Sequence, residues 1–165
     1  MIVVRKTLTP NVRLVGFDVD GVFTDGRFCL SDDGVESKTF STQDGFGIRQ
    51  LLDSAIDVVI ISGRKSVAVE KRMAELGIKY VIQGCKDKVS ALNSVVSDLG
   101  INLADTIYVG DDIPDLELLR HAGFSIAVDN AVDVVKEECD AITHAKGGHG
   151  AVREVCEFVL GAMSD

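Results

Sequence analysis

The chain has no tryptophan, two tyrosines and two prolines among its 165 residues. Aromatic residues make up 5% of it, which leaves few flat rings on which the bases of a single-stranded nucleic acid could stack. Positive charge is also scarce. Seventeen Lys and Arg face twenty-six Asp and Glu, a formal charge of -9. Such a surface repels a phosphate backbone and excludes DNA or RNA as the expected partner. Cysteine occurs four times, at Cys29, Cys85, Cys139 and Cys156, with no CxxC pair. That spacing supports neither a zinc site nor a dithiol redox centre, and it fits small buried thiols in a reducing compartment. The opening MIVVRKTLTP lacks an apolar run long enough for a signal peptide or a membrane span, so a cytoplasmic location is expected.

What is present fits one globular domain over residues 1–165. Hydrophobic residues reach 46% and charged residues 26%, a globular balance. Short β-branched runs occur at Val12–Phe17, Val58–Ile61, Tyr80–Ile82, Thr106–Val109 and Phe124–Val128. Continuous apolar runs of this kind read as strands buried on both faces. Between them lie helix-spaced segments at Gly47–Ser54, Val67–Leu76, Lys88–Leu99 and Asp115–Ala122, two of them stopped by Gly77 and Gly100. The alternation predicts an α/β fold with a doubly wound parallel sheet. Arg27–Phe40 breaks it, with strand-like residues on both sides of Asp33-Gly34, and predicts a projecting β-hairpin. The C-terminal tail, about 147–165, opens with GGHG and then reads as a helix through Met163 (AVREVCEFVLGAM).

Chemistry-bearing residues recur where these strands end. Asp18-Val19-Asp20-Gly21 follows the first strand, and two carboxylates so close repel each other without a cation or a shared proton. Ser62-Gly63-Arg64 follows the second. Lys88 opens the helix after Tyr80–Ile82, and Gly110-Asp111-Asp112 follows Thr106–Val109. Ligands of open α/β sheets bind beyond the carboxyl ends of the strands. Singly, each element has a plain alternative. Ser62 could cap a helix, Lys88 could be a solvated helix residue, Arg64 a surface residue, and Asp111-Asp112 a helix start favoured by the dipole. Their joint order at strand ends is what points to a site.

These four elements resemble the four motifs of the haloacid dehalogenase superfamily of phosphotransferases. The segments DVDGVFTDG (18–26), FSTQDGFGI (40–48), ISGRK (61–65), QG before Lys88, GDD (110–112) and GGHGAVREVC (147–156) narrow the resemblance to the 3-deoxy-D-manno-octulosonate 8-phosphate phosphatases. The resemblance implies a Mg²⁺-dependent phosphomonoesterase acting on a small acidic sugar phosphate of lipopolysaccharide synthesis. It implies Asp18 as nucleophile and Asp20 as general acid/base. Lys88 pairs with the phosphate and with Asp18. Ser62, Gly63, Arg64 and Thr24 bind phosphate or substrate, with Arg64 on the sugar carboxylate. Asp18, the backbone carbonyl of Asp20 and Asp111 hold the metal, and Asp112 and Asp115 act behind it or cap a helix. Asp25 to Ser62 and Lys88 to Asp111 leave no room for an inserted cap domain. Capless relatives form homotetramers through their hairpins, so a homotetramer is expected. The GGHG segment resembles a flexible lid, with His149 where relatives often carry arginine. Three other readings remain open: a phosphatase for another sugar phosphate, such as a nine-carbon acidic sugar 9-phosphate, or for a nucleotide; a receiver-like phosphoacceptor domain; and a catalytically silent oligomerisation module.

Overall fold

A computed structural model describes residues 1–8 and 11–164, so the final residue of the expected C-terminal segment lies outside it. Nine strands are described: β1 (Val3–Val4), β2 (Leu14–Phe17), β3 (Cys29–Leu30), β4 (Glu36–Ser37), β5 (Asp57–Ile61), β6 (Tyr80–Ile82), β7 (Thr106–Gly110), β8 (Phe124–Ala127) and β9 (Ala141–Ile142). The six described α-helices are α1 (Thr42–Asp53), α2 (Val67–Leu76), α3 (Lys88–Leu99), α4 (Leu116–His121), α5 (Asp133–Glu138) and α6 (Ala151–Ser164). Seven strands form one sheet in the order β1-β9-β8-β7-β2-β5-β6, parallel except for the β1–β9 pair. β3 and β4 pair separately as a short antiparallel ribbon, turned at Gly34 with φ +81°.

The α/β architecture follows from burial on both faces. β2 and β7 are buried along their whole length. A β-branched strand of that kind is stable only when helices cover both sides. β2 lies between β5 and β7, and Phe17 stands in register with Ile60 on one side and Val109 on the other. The residues that follow these strands therefore emerge together on one edge. That register gathers the site.

Gly16 has a packing role within β2. A Cβ there would lie 2.7 Å from the Tyr108 ring, so the glycine leaves room for a large aromatic in the middle of the sheet.

The expected helix at Gly47–Ser54 begins earlier, at Thr42, where the Ser41 side chain accepts a hydrogen bond from the Asp44 amide. Gly45 and Gly47 conceal this start in the sequence, because glycine is a weak helix former. Here they serve close packing. A Cβ on Gly45 would strike Arg72, and one on Gly47 would press on Arg153 and Cys156 of α6. The two-residue strands β1 and β9 carry too little pattern to be read from sequence.

Candidate active site

The loop after β2 is anchored to the core, unlike a free Asp- and Gly-rich surface turn. Val19, Val22 and Phe23 are buried, and the Phe23 ring meets Phe17 edge-on at 5.5 Å. Burying one such side chain stabilises by roughly 1.5–3 kcal/mol, enough to fix a short loop. The amides of Val22, Phe23 and Thr24 all donate to the Val19 carbonyl. Thr24, expected among the substrate-binding residues, is 1% exposed, and its Oγ1 accepts from the amides of Gly21 and Gly26 at 3.3 and 3.2 Å. It shapes the loop and is not among the residues lining the cleft.

The other expected residues meet in one cleft of about 330 Å³, lined by Asp18, Asp20, Ser62, Gly63, Arg64, Lys88 and Asp111 among others. The Asp18 amide donates to the Val109 carbonyl at 3.0 Å, which seats the residue over the strand ends. Lys88 is 7% exposed, and its Nζ lies 3.2 Å from Asp18 Oδ1 and 2.7 Å from Asp115 Oδ1. Burial alone would depress the lysine, but the charges of Asp115 and Asp18 outweigh it and hold Lys88 above its ordinary range. Ser62 is buried, and its backbone bridges to Ile82 and Cys85. Gln83 clamps the start of α2 through both the amide and the carbonyl of Ser66, at 2.8 and 3.1 Å.

The acids beyond β7 divide their work. Asp112 is exposed and caps the helical turn Ile113–Asp115. Asp115 is 1% exposed; its Oδ2 accepts from the Asp111 and Asp112 amides, and its Oδ1 accepts from Lys88 and from the Tyr108 hydroxyl at 3.2 Å. Both oxygens of Asp115 are thus engaged. Asp111 Oδ1 is buried with no hydrogen-bond partner. One carboxylate oxygen from each of Asp18, Asp111 and Asp115 lies within 4.8 Å of the others. Two oxygens on opposite sides of one Mg²⁺ stand about 4.2 Å apart, so this spacing accepts such an ion.

The electrostatics agree with that fit. Burial, then the Asp115 charge, pushes Asp18 up to about 7. Burial, then Asp115, Asp18 and Asp112, pushes Asp111 up to about 8. Carboxylates this strained by burial and mutual repulsion call for a cation. Gly21 makes room for the arrangement. At φ +88°, a Cβ there would lie 1.9 Å from Asp111 Oδ2.

Several residues at the site were not singled out from sequence. Tyr108 donates from the sheet interior to Asp115, a single polar tip in an otherwise apolar run. Glu36 and Lys38, on the hairpin, lie outside the cleft and contact two of its lining residues. Lys38 pairs with Asp20 and with Glu36, and the Arg64 guanidinium pairs with Glu36 while lying 4.3 Å over the Phe28 ring. Their charges on a turn-rich segment read as ordinary solvated surface.

The GGHG segment packs against the loop after β2. The Gly147 amide donates to Asn130 Oδ1 at 2.6 Å, and Asn130 Nδ2 donates to the Gly21 carbonyl at 2.9 Å. The Gly148 amide donates to the Val22 carbonyl. A Cβ on Gly147 would lie 1.9 Å from the Gly21 oxygen, so this glycine serves close approach to the loop after Asp18.

A family model for haloacid dehalogenase-like hydrolases matches residues 83–155. The 3-deoxy-D-manno-octulosonate 8-phosphate phosphatase KdsC of Salmonella typhi is 43% identical over 154 residues, covering 93% of this chain and 82% of that protein. A Moraxella catarrhalis 3-deoxy-D-manno-octulosonate 8-phosphate phosphatase, solved in complex with magnesium, phosphate and KDO, superposes with a TM-score of 0.91 at 44% identity, over 94% of this chain and 89% of its own. The cobalt-bound deoxy-D-mannose-octulosonate 8-phosphate phosphatase of Haemophilus influenzae does so with a TM-score of 0.91 at 37% identity, over 94% and 91%. By fold, by sequence and by the acids gathered at its strand ends, the chain belongs to the haloacid dehalogenase-like hydrolases, in the family of the 3-deoxy-D-manno-octulosonate 8-phosphate phosphatases.

Proposed function

We propose that this protein is a Mg²⁺-dependent phosphomonoesterase that hydrolyses 3-deoxy-D-manno-octulosonate 8-phosphate through a phosphoaspartate at Asp18. The observation that carries the reading is the shared cluster of Asp18, Asp111 and Lys88 beside the cleft. Asp18 attacks phosphorus as the bond from phosphorus to the sugar oxygen breaks. Asp20 gives a proton to that leaving oxygen, then takes one from the water that cleaves the acyl phosphate. Lys88 holds Asp18 in line and offsets charge on the phosphoryl oxygens. Ser62 donates to a phosphoryl oxygen, with the Gly63 backbone beside it. Arg64, at the cleft rim, takes the sugar carboxylate in its guanidinium fork. Asp18, Asp111 and the Asp20 carbonyl would hold Mg²⁺, which would supply charge neutralisation for the anionic nucleophile and the phosphate.

Phosphate release from a panel of sugar phosphates tests the reading. The eight-carbon acid phosphate is expected among the best substrates by kcat/KM, ahead of the nine-carbon acid 9-phosphate and neutral hexose phosphates, and only with Mg²⁺. Preference for the nine-carbon acid would reassign the substrate. A stable phosphoprotein without turnover would favour the receiver-like reading.

The hairpin supports a homotetramer as the working form. Phe28, Leu30 and Val35 are exposed large apolar side chains on this short two-stranded ribbon, with Leu30 65% exposed. An uncovered ribbon edge with apolar side chains is a surface for pairing with another copy. Leu30→Asp is expected to shift the molecular mass in sedimentation toward the monomer. An unchanged mass would remove the hairpin from the interface.

A further inference from the structure

Lys38 is out of character with its surroundings. It follows β4 on a ribbon whose residues are mostly exposed, yet its side chain is 0% exposed. Burying an ammonium is costly unless it is paired, so its partners define its role. Its Nζ donates to Asp20 Oδ1 and lies 3.4 Å from Glu36 Oε1. The opposite oxygen of Asp20, Oδ2, is 4.0 Å from Arg64 Nε at the rim of the active-site cleft. The two oxygens of Asp20 therefore face different cations. Lys38 does not reach the active-site cleft. It borders a second one of about 340 Å³, with Asp25, Phe28, Thr39 and His149. It grips Asp20 from behind.

We propose that Lys38 is a positioning residue for the proton-transfer step. By binding Asp20 Oδ1 it fixes the carboxyl rotamer and leaves Oδ2 aimed into the cleft, where the leaving oxygen and later the attacking water must lie. Glu36 completes the device. It shares Lys38 with Asp20 and gives its other oxygen to Arg64, which holds the Glu36 carboxylate below its usual range. Residues of one hairpin thus set both the acid/base and the arginine at the rim. The proton in transit is on Asp20 Oδ2. The inference rests on the reading of Asp20 as the general acid/base. Positioning matters at this scale, because a shift of about 1 Å in a reacting group can cost on the order of 100-fold in rate.

A double-mutant cycle tests it, using the full chain with Mg²⁺ and 3-deoxy-D-manno-octulosonate 8-phosphate. Lys38→Met keeps the apolar stem and removes the donor. It is expected to lower kcat by about 10- to 100-fold with KM within about twofold, and Lys38→Arg is expected to restore part of the loss. In the Asp20→Asn background, Lys38→Met should cost nothing further, since the group it positions is gone. An equal loss in both backgrounds, or an unchanged kcat in Lys38→Met, would overturn the proposal. A rise in KM alone would assign Lys38 to substrate binding and overturn it too. Melting temperature identifies a variant that fails to fold, and then Lys38→Gln replaces Lys38→Met in the same cycle. Wild-type turnover in Asp20→Asn alone would instead sink the acid/base reading, which separates the two failures.

Discussion

Asp18→Asn is expected to lower phosphate release by on the order of 10⁴-fold or more while the protein stays folded. The amide keeps the shape of the side chain and loses the anionic oxygen that attacks phosphorus, so the covalent route closes. Its stability should not fall. Asp18 is a partly buried carboxylate pushed up to about 7 by desolvation and by Asp115, so replacing it relieves repulsion even as its 3.2 Å contact with Lys88 is lost. Lys88 retains Asp115 as a partner at 2.7 Å. Mass spectrometry of acid-quenched wild-type enzyme should show a phosphoryl adduct on the peptide containing Asp18, absent from the variant. Turnover within about tenfold of wild type would eliminate the phosphoaspartate, since loss of a covalent nucleophile costs far more.

Removing the metal should have a second large effect, and its size should depend on pH. In the metal-free protein Asp18 and Asp111 titrate near 7 and 8 instead of near 3.8. The folded state then binds more protons than the unfolded chain between those limits. Stability contributed by these groups is present below the ordinary carboxylate range and is lost as pH rises through 7 to 8. Chelated protein should therefore melt at a lower temperature at pH 8.5 than at pH 6. Saturating Mg²⁺ should raise the melting temperature at both, and more at the higher pH, where no protons need to be displaced. At a concentration about 100-fold above Kd, ligand binding stabilises by about 2.7 kcal/mol, which corresponds to roughly 5–10 °C for a chain of this size. Isothermal titration at pH 6 in buffers of different ionisation enthalpy should register proton release on binding. A melting temperature indifferent to Mg²⁺ at both pH values would contradict a metal site at Asp18 and Asp111, and turnover surviving chelation would do the same for the reaction.

What the sequence disclosed follows from what a parallel sheet imposes. Strands β2, β5, β6, β7 and β8 had to be apolar along their length, so their runs stood out. Their shared direction placed Asp18, Ser62 and Asp111 on one edge, and Lys88 followed from the helix after β6. Side chains supplied from outside that pattern stayed hidden. Tyr108 sits in an apolar run, and only the packed sheet shows that its hydroxyl turns toward Asp115. Lys38 and Asp20 are paired across a hairpin seat that no periodicity records. The part Thr24 plays in the loop, accepting from the amides of Gly21 and Gly26, was equally hidden. The close approach of Gly147 to the Gly21 carbonyl also has no signature in the sequence.

That last contact bears on how the protein is made. The backing of the Gly21 loop comes from Asn130 and from Gly147 and Gly148, which are synthesised after every other residue of the site. A ribosome-bound chain that has reached Asp111 already holds all the expected metal-binding carboxylates but has not yet received their support. Competence therefore waits on residues 130, 147 and 148, and until they emerge the early acids lack the brace that sets their final geometry.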